Sequence, residues 1–147
     1  MSPGENYQIA LDTFLRIQER FPDLDMVLDR KPSNDWLELT LDILSQRGLP
    51  ADIHLDLQGG DELTFSVGPF FGEWFPCNDE KVQSDFFDCV VGYLSGEYLF
   101  EEHWRGGKAV RSILKRPDGT VASNWLTISA LWPWPSKTIR TNQRVIA

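Results

Sequence analysis

The segments His54-Leu55-Asp56 and Glu101-Glu102-His103 contain both histidines of the chain, each two residues from a carboxylate. On an extended strand, residues two apart share a face. His54 with Asp56, and Glu101 with His103, would each offer an imidazole and a carboxylate to one side. Two imidazoles and two carboxylates suit zinc or a non-haem iron. Such a centre requires the two strands to be neighbours with both pairs facing the same way, and the strand registers below set them apart. The sequence therefore leads us to expect no metal and no cofactor. It has neither the GxSxG turn of a nucleophile elbow nor the GxxxxGK[ST] loop that cradles phosphate. Cys77 and Cys89 lack CxxC spacing and are too few for a zinc site. Nothing here names a reaction, and the chain leans away from being an enzyme.

Two aromatic groupings carry the remaining chemistry. Pairing Arg105 with Lys108 across a Gly106-Gly107 turn sets Phe100 opposite Ile113 and Glu102 opposite Arg111. With Arg116 opposite Thr120, Trp125 then falls opposite Arg111, where the two can stack as a cation–π pair. Tyr98, Phe100, Trp104, Ile113 and Trp125 would share one face with Glu102, Arg111 and Lys115, a composition suited to a binding groove. The other grouping is GPFFGEWFPC, Gly68 to Cys77. It has neither helical nor strand period and reads as a loop. Its aromatics, Phe71 and Trp74 among them, are either cover over a sheet face or a hot spot left open for a partner.

The elements that must position these residues follow from pattern. Ser2-Pro3-Gly4-Glu5 is a capping box, and Tyr7, Ala10, Leu11, Phe14, Ile17 and Phe21 form a helical stripe stopped by Pro22. Pro22 to Asp35 is polar and reads as a connection. Residues 36–46 alternate as a strand, with a helix as the rival. For the next hairpin, a three-residue turn at Gly59-Gly60-Asp61 pairs Leu57 with Leu63, Leu55 with Phe65 and Ile53 with Val67. That register alone puts all six apolar side chains on one face. Asn78 or Asp79 caps a second helix with Val82, Phe86, Cys89, Val90 and Tyr93 on its stripe, ending at Gly96. A three-stranded meander follows, with a turn at Pro117-Asp118-Gly119, and a further edge strand closes the chain. The expected fold is α+β, one domain over 1–147, in the order α-βββ-α-βββ. It has a mainly antiparallel sheet of about six strands with both helices on one face.

Composition bounds the function. Apolar content of 41% argues against disorder, and no apolar run is long enough to span a bilayer. The start, MSPGENYQ, lacks the features of a secretory signal, so a cytoplasmic protein with free thiols is expected. Net charge is −8, but unevenly spread. Through Trp104 there are 21 acids against 6 bases, and from Arg105 onward 1 acid against 8 bases. An acidic body repels phosphates at range, which disfavours nucleic acid as a partner.

The runs GDELTFSVGPFFGEWFPC and YLSGEYLFEEHWRGGKAVRS resemble small bacterial proteins of unassigned activity. The resemblance spans about the last two-thirds of the chain and implies a compact bacterial domain. It carries no catalytic motif. Two functions remain open. The leading one is a protein-interaction module, for example a toxin-neutralising immunity protein whose acidic surface steers onto a basic nuclease. The other is a small-molecule binder or enzyme with a pocket against the aromatic meander face, using Glu102, Arg111 and Trp125.

Overall fold

A computed structural model of the protein describes residues 3–127 and 138–145. Helix α1 runs from Pro3 to Arg20 and buries Ala10, Leu11, Phe14 and Ile17, with Phe21 just beyond its end. The capping residue Ser2 lies outside the described residues. Helix α2, Glu80–Leu94, starts on Asp79, whose carboxylate accepts from the Lys81 and Val82 amides. It buries Phe86, Cys89, Val90 and Tyr93. Neither helix is long and apolar enough to cross a membrane.

Among the described residues the class is α+β, as expected, but the strands number nine and form two antiparallel sheets. The first is a five-stranded meander of β1 (Val27–Asp29), β2 (Leu37–Ile43), β3 (Ile53–Gln58), β4 (Glu62–Val67) and β5 (Phe70–Trp74). The second has the order β8-β7-β6-β9, built from β6 (Leu99–Arg105), β7 (Lys108–Lys115), β8 (Val121–Leu126) and the edge strand β9 (Thr138–Asn142). Strand β2 settles the strand-or-helix question over 36–46. The β3–β4 hairpin has the derived register, Leu57 with Leu63, Leu55 with Phe65 and Ile53 with Val67. Its six apolar side chains enter the core, where the helices pack.

Cys77 and Cys89 are buried free thiols, as expected. Two expectations need correction. The polar connection after Pro22 contains β1, too short to leave a periodic signal. The second is GPFFGEWFPC, whose residues Phe70–Trp74 form a strand rather than a loop. Phe70, Gly72 and Trp74 face inward, and Phe71 and Glu73 face out. Gly72 hides this alternation because an inward glycine reads as a break. Its missing side chain is required, since a Cβ there would lie 2.7 Å from the Trp74 ring and 2.9 Å from that of Phe70.

Phe65 on β4 is the hub between the layers. Its ring centroid lies 5.8 Å from Phe70, 6.4 Å from Trp74, 6.4 Å from Tyr93 and 6.1 Å from Phe100. These rings come from β5, α2 and β6, so one aromatic cluster joins both sheets to the second helix. Arg144, beyond β9, closes the molecule from the far end. It donates to the Leu94 carbonyl at the end of α2 and to Asp23 beyond α1.

Gly92 in the middle of α2 lets the Tyr98 ring lie flat against the helix, with a Cβ at that position only 2.5 Å from ring atoms. Helix propensity alone would make Gly92→Ala stabilising by about 1 kcal/mol. The forced contact outweighs it, and the variant is expected to lose about 1–3 kcal/mol, as overpacked sites do. A rise in melting temperature for Gly92→Ala would show that Tyr98 moves aside freely.

Candidate functional site

The face of the first sheet turned away from the helices is built from the polar half of each alternation. Register places Asp29 beside Thr40, Thr40 beside Asp56, Asp56 beside Thr64, and Thr64 beside Glu73, in one row across all five strands. A second row runs Val27, Asp42, His54, Ser66, Phe71. With Glu62, paired to Gln58, the face holds five carboxylates. Its strands contribute no lysine or arginine to it, and His54 is their one base. Phe71 stands among these acids and is 38% exposed, and Phe75 just past β5 is 60% exposed.

The electrostatics reflect this crowding. Burial holds the Asp56 carboxyl above the usual aspartate range; the Thr64 hydroxyl, which donates to it at 3.3 Å, opposes the shift, while Asp42 adds to it. The Glu73 carboxyl is also raised, chiefly because it shares a hydrogen bond with Glu62. A second carboxylate beside it makes the charged form of Glu73 costlier when no cation separates the two. His54 Nδ1 contacts Asp42 Oδ1 at 2.8 Å, so its partner is the residue opposite on β2 rather than Asp56.

The second sheet places the other candidate residues. A bulge between His103 and Trp104 shifts the β6–β7 register by one, pairing Phe100 with Leu114, Glu102 with Ser112 and His103 with Arg111. The turn itself is as derived, with Gly106 and Gly107 both at positive φ, as a two-residue hairpin demands. The slip moves Arg111, Ile113 and Lys115 to the opposite face from Glu102. Trp125 consequently pairs with Ser112 and Leu126 with Arg111. The expected Arg111–Trp125 stack does not form, and the Arg111 Nε donates to Asn124 instead. Glu101 and His103 face away from Glu102, with His103 Nε2 2.9 Å from Glu101 Oε2 and Lys115 3.1 Å from Glu101 Oε1. These two partners pull the Glu101 carboxyl below its usual range.

His54 and Asp56 thus belong to one sheet and Glu101 and His103 to the other. Among the described residues no three His, Cys, Asp or Glu side chains come together to hold a metal. Trp74 lies in the core-facing row of β5, edge-on to Phe86 at 5.4 Å. The aromatic run is therefore divided, with Phe70 and Trp74 packed inside and Phe71 and Phe75 outside. The C-terminal Trp-Pro steps at 132–135, expected to share the covering role, lie outside the described residues.

One polar cluster was not legible in advance. Tyr93 donates to Asn142 Oδ1 at 2.6 Å, and Asn142 Nδ2 donates to Glu102 Oε2 at 3.3 Å. Trp104 Nε1 donates to Glu102 Oε1 at 3.1 Å. Burial pushes the Tyr93 hydroxyl far above its ordinary range, with the Glu102 charge adding and the Asn142 hydrogen bond opposing. Asn142 and Arg140 come from β9, whose pairing to β6 spans some forty residues and leaves no trace in local periodicity. Cys89 is a buried thiol, pushed up to about 12 by burial, and is too little ionised to act as a nucleophile. Comparison with family models, curated proteins and solved structures returns no match in any of the three, and the function has to be read from the chain's own side chains.

Proposed function

We propose that this protein is a non-enzymatic interaction module of the cytoplasm that docks a basic protein partner on the outer face of its five-stranded sheet. The observation that carries this is the composition of that face, with five carboxylates, no lysine or arginine from its strands, and Phe71 exposed among them. Clustered like charges oppose folding, so a face that keeps them is arranged for something other than stability. A field of one sign steers an oppositely charged partner, and an aromatic side chain on its edge strand supplies the apolar contact that fixes it. A toxin-neutralising protein opposite a basic nuclease is one concrete form of this chemistry.

The test is affinity capture from the native host's lysate at low and high salt, with wild type beside Phe71→Ser. A stoichiometric basic protein should be retained at low salt, released as screening rises, and lost with Phe71→Ser at unchanged melting temperature. A companion that is acidic, salt-insensitive or indifferent to Phe71 would overturn the proposal.

A further inference from the structure

The side chain of Glu102 raises a question that the sheet-face reading leaves untouched. It is 7% exposed, and each of its carboxylate oxygens accepts from a neutral donor, Trp104 or Asn142. No cation among the described residues lies within ion-pair distance of it. A carboxylate taken out of water without a counter-charge is costly. Arg140 is its direct partner across β6 and β9, yet lays its guanidinium over the Trp104 ring, 4.8 Å from the centroid. Arg140 in turn pairs with no carboxylate among the described residues.

Glu102, Trp104, Arg140 and Asn142 line one side of a cavity of about 430 Å³, and Pro50 and Pro69 line the other. This volume falls in the range of small-molecule sites, ~300–1,000 Å³. The approach to the carboxylate is open at Gly68, where a side chain would stand 3.5 Å from Glu102 Oε2 and 3.7 Å from Asn142 Nδ2. Asn142 is itself 8% exposed and held by Tyr93, so the carboxylate is fixed from behind by buried, satisfied groups, as a preorganised site requires.

The ligand follows from the two charges. A simple cation drawn to Glu102 would meet Arg140, and a simple anion drawn to Arg140 would meet Glu102. A molecule with an ammonium and a carboxylate on the same carbon satisfies both. We propose that this cavity binds a free α-amino acid, its ammonium on Glu102, its carboxylate on Arg140, and an apolar side chain against Trp104 and the two prolines. The site keeps Glu102 and Trp104 of the groove expected from sequence but uses Arg140 in place of Arg111 and does not include Trp125. It is independent of the sheet-face reading and stands or falls without it.

Saturation-transfer NMR of the full chain with the complete set of free L-amino acids tests this. Leucine, methionine or phenylalanine should give transfer, while phenylalaninamide and 3-phenylpropionate, each lacking one charge, should not. Arg140→Gln and Glu102→Gln should each weaken binding at least about tenfold, the loss of one charged hydrogen-bonded contact. Arg140 is exposed, so its variant stays informative should Glu102→Gln fold poorly. No transfer from any amino acid, equal transfer from the singly charged analogues, or undiminished binding by Arg140→Gln would each overturn the proposal.

Discussion

Trp74→Ala is expected to cost about 3 kcal/mol, the lower end for a large aromatic truncated in a core, and Phe71→Ser no more than about 0.5 kcal/mol. The two positions are three residues apart in one aromatic run, yet on opposite faces of β5. Trp74 packs edge-on against Phe86 and tilted against Phe65, and it roofs the space that Gly72 leaves. Its removal opens a void beneath the α2–β5 contact that the neighbouring rings cannot fill. Phe71 has only the solvated sheet face around it. For a domain of this size Trp74→Ala should lower the melting temperature by roughly 6–12 °C, and Phe71→Ser should barely move it. Equal losses in both variants would mean that the outer face is covered, and with it the docking role would go.

Neutralising the outer face should act in the opposite sense on stability and function. Changing Asp42, Asp56, Glu62 and Glu73 to their amides is expected to slow association with a basic partner by about 10–10³-fold at low salt, the usual range of electrostatic steering. Stopped-flow association across a salt series would measure it. The pair Asp56→Asn and Glu73→Gln isolates the stability effect. Both carboxyls titrate above their ordinary values of 3.8 and 4.5 in the folded chain. The folded state therefore binds protons more tightly than the unfolded one. Their contribution to stability falls as pH rises through the raised values and is unfavourable at neutral pH. The double variant should melt higher than wild type at pH 7, and this gain should vanish as pH falls below 3.8. Glu101, whose pKa is lowered, behaves oppositely: its stabilising contribution is present above the ordinary glutamate value and disappears in acid. A gain in melting that persists unchanged into acid would show that the two carboxyls are not strained by their neighbours.

Local pattern was a good guide wherever a turn and a single face fixed the answer. The β3–β4 register follows from six apolar residues that only one pairing can bury together. The α2 cap follows from Asp79 in the same way. The failures have physical causes. A single extra residue beside Trp104 reversed the faces of β7, and no periodicity reveals a bulge. Gly72 broke an alternation that two aromatic rings complete over its backbone. The second sheet gains its fourth strand from β9 returning to β6, a long-range pairing. For the same reason Arg140 and Asn142 could not be joined to Glu102 in advance. Only register aligned Asp42, Asp56, Glu62 and Glu73 across one face, with Glu73 in the stretch that reads as a loop.

Arg144 gives the order of assembly a direction. Its guanidinium joins the exit of α1 and the end of α2 to the strand that completes the second sheet. During synthesis the first sheet and both helices can meet as soon as they emerge. The second sheet has no β9, and Glu102 has no Asn142 behind it, until the ribosome has released the residues around Arg144. A nascent chain halted before that point would display the unpaired edge of β6 to the cell, so a late step of folding is also the one that hides a strand edge open to other chains.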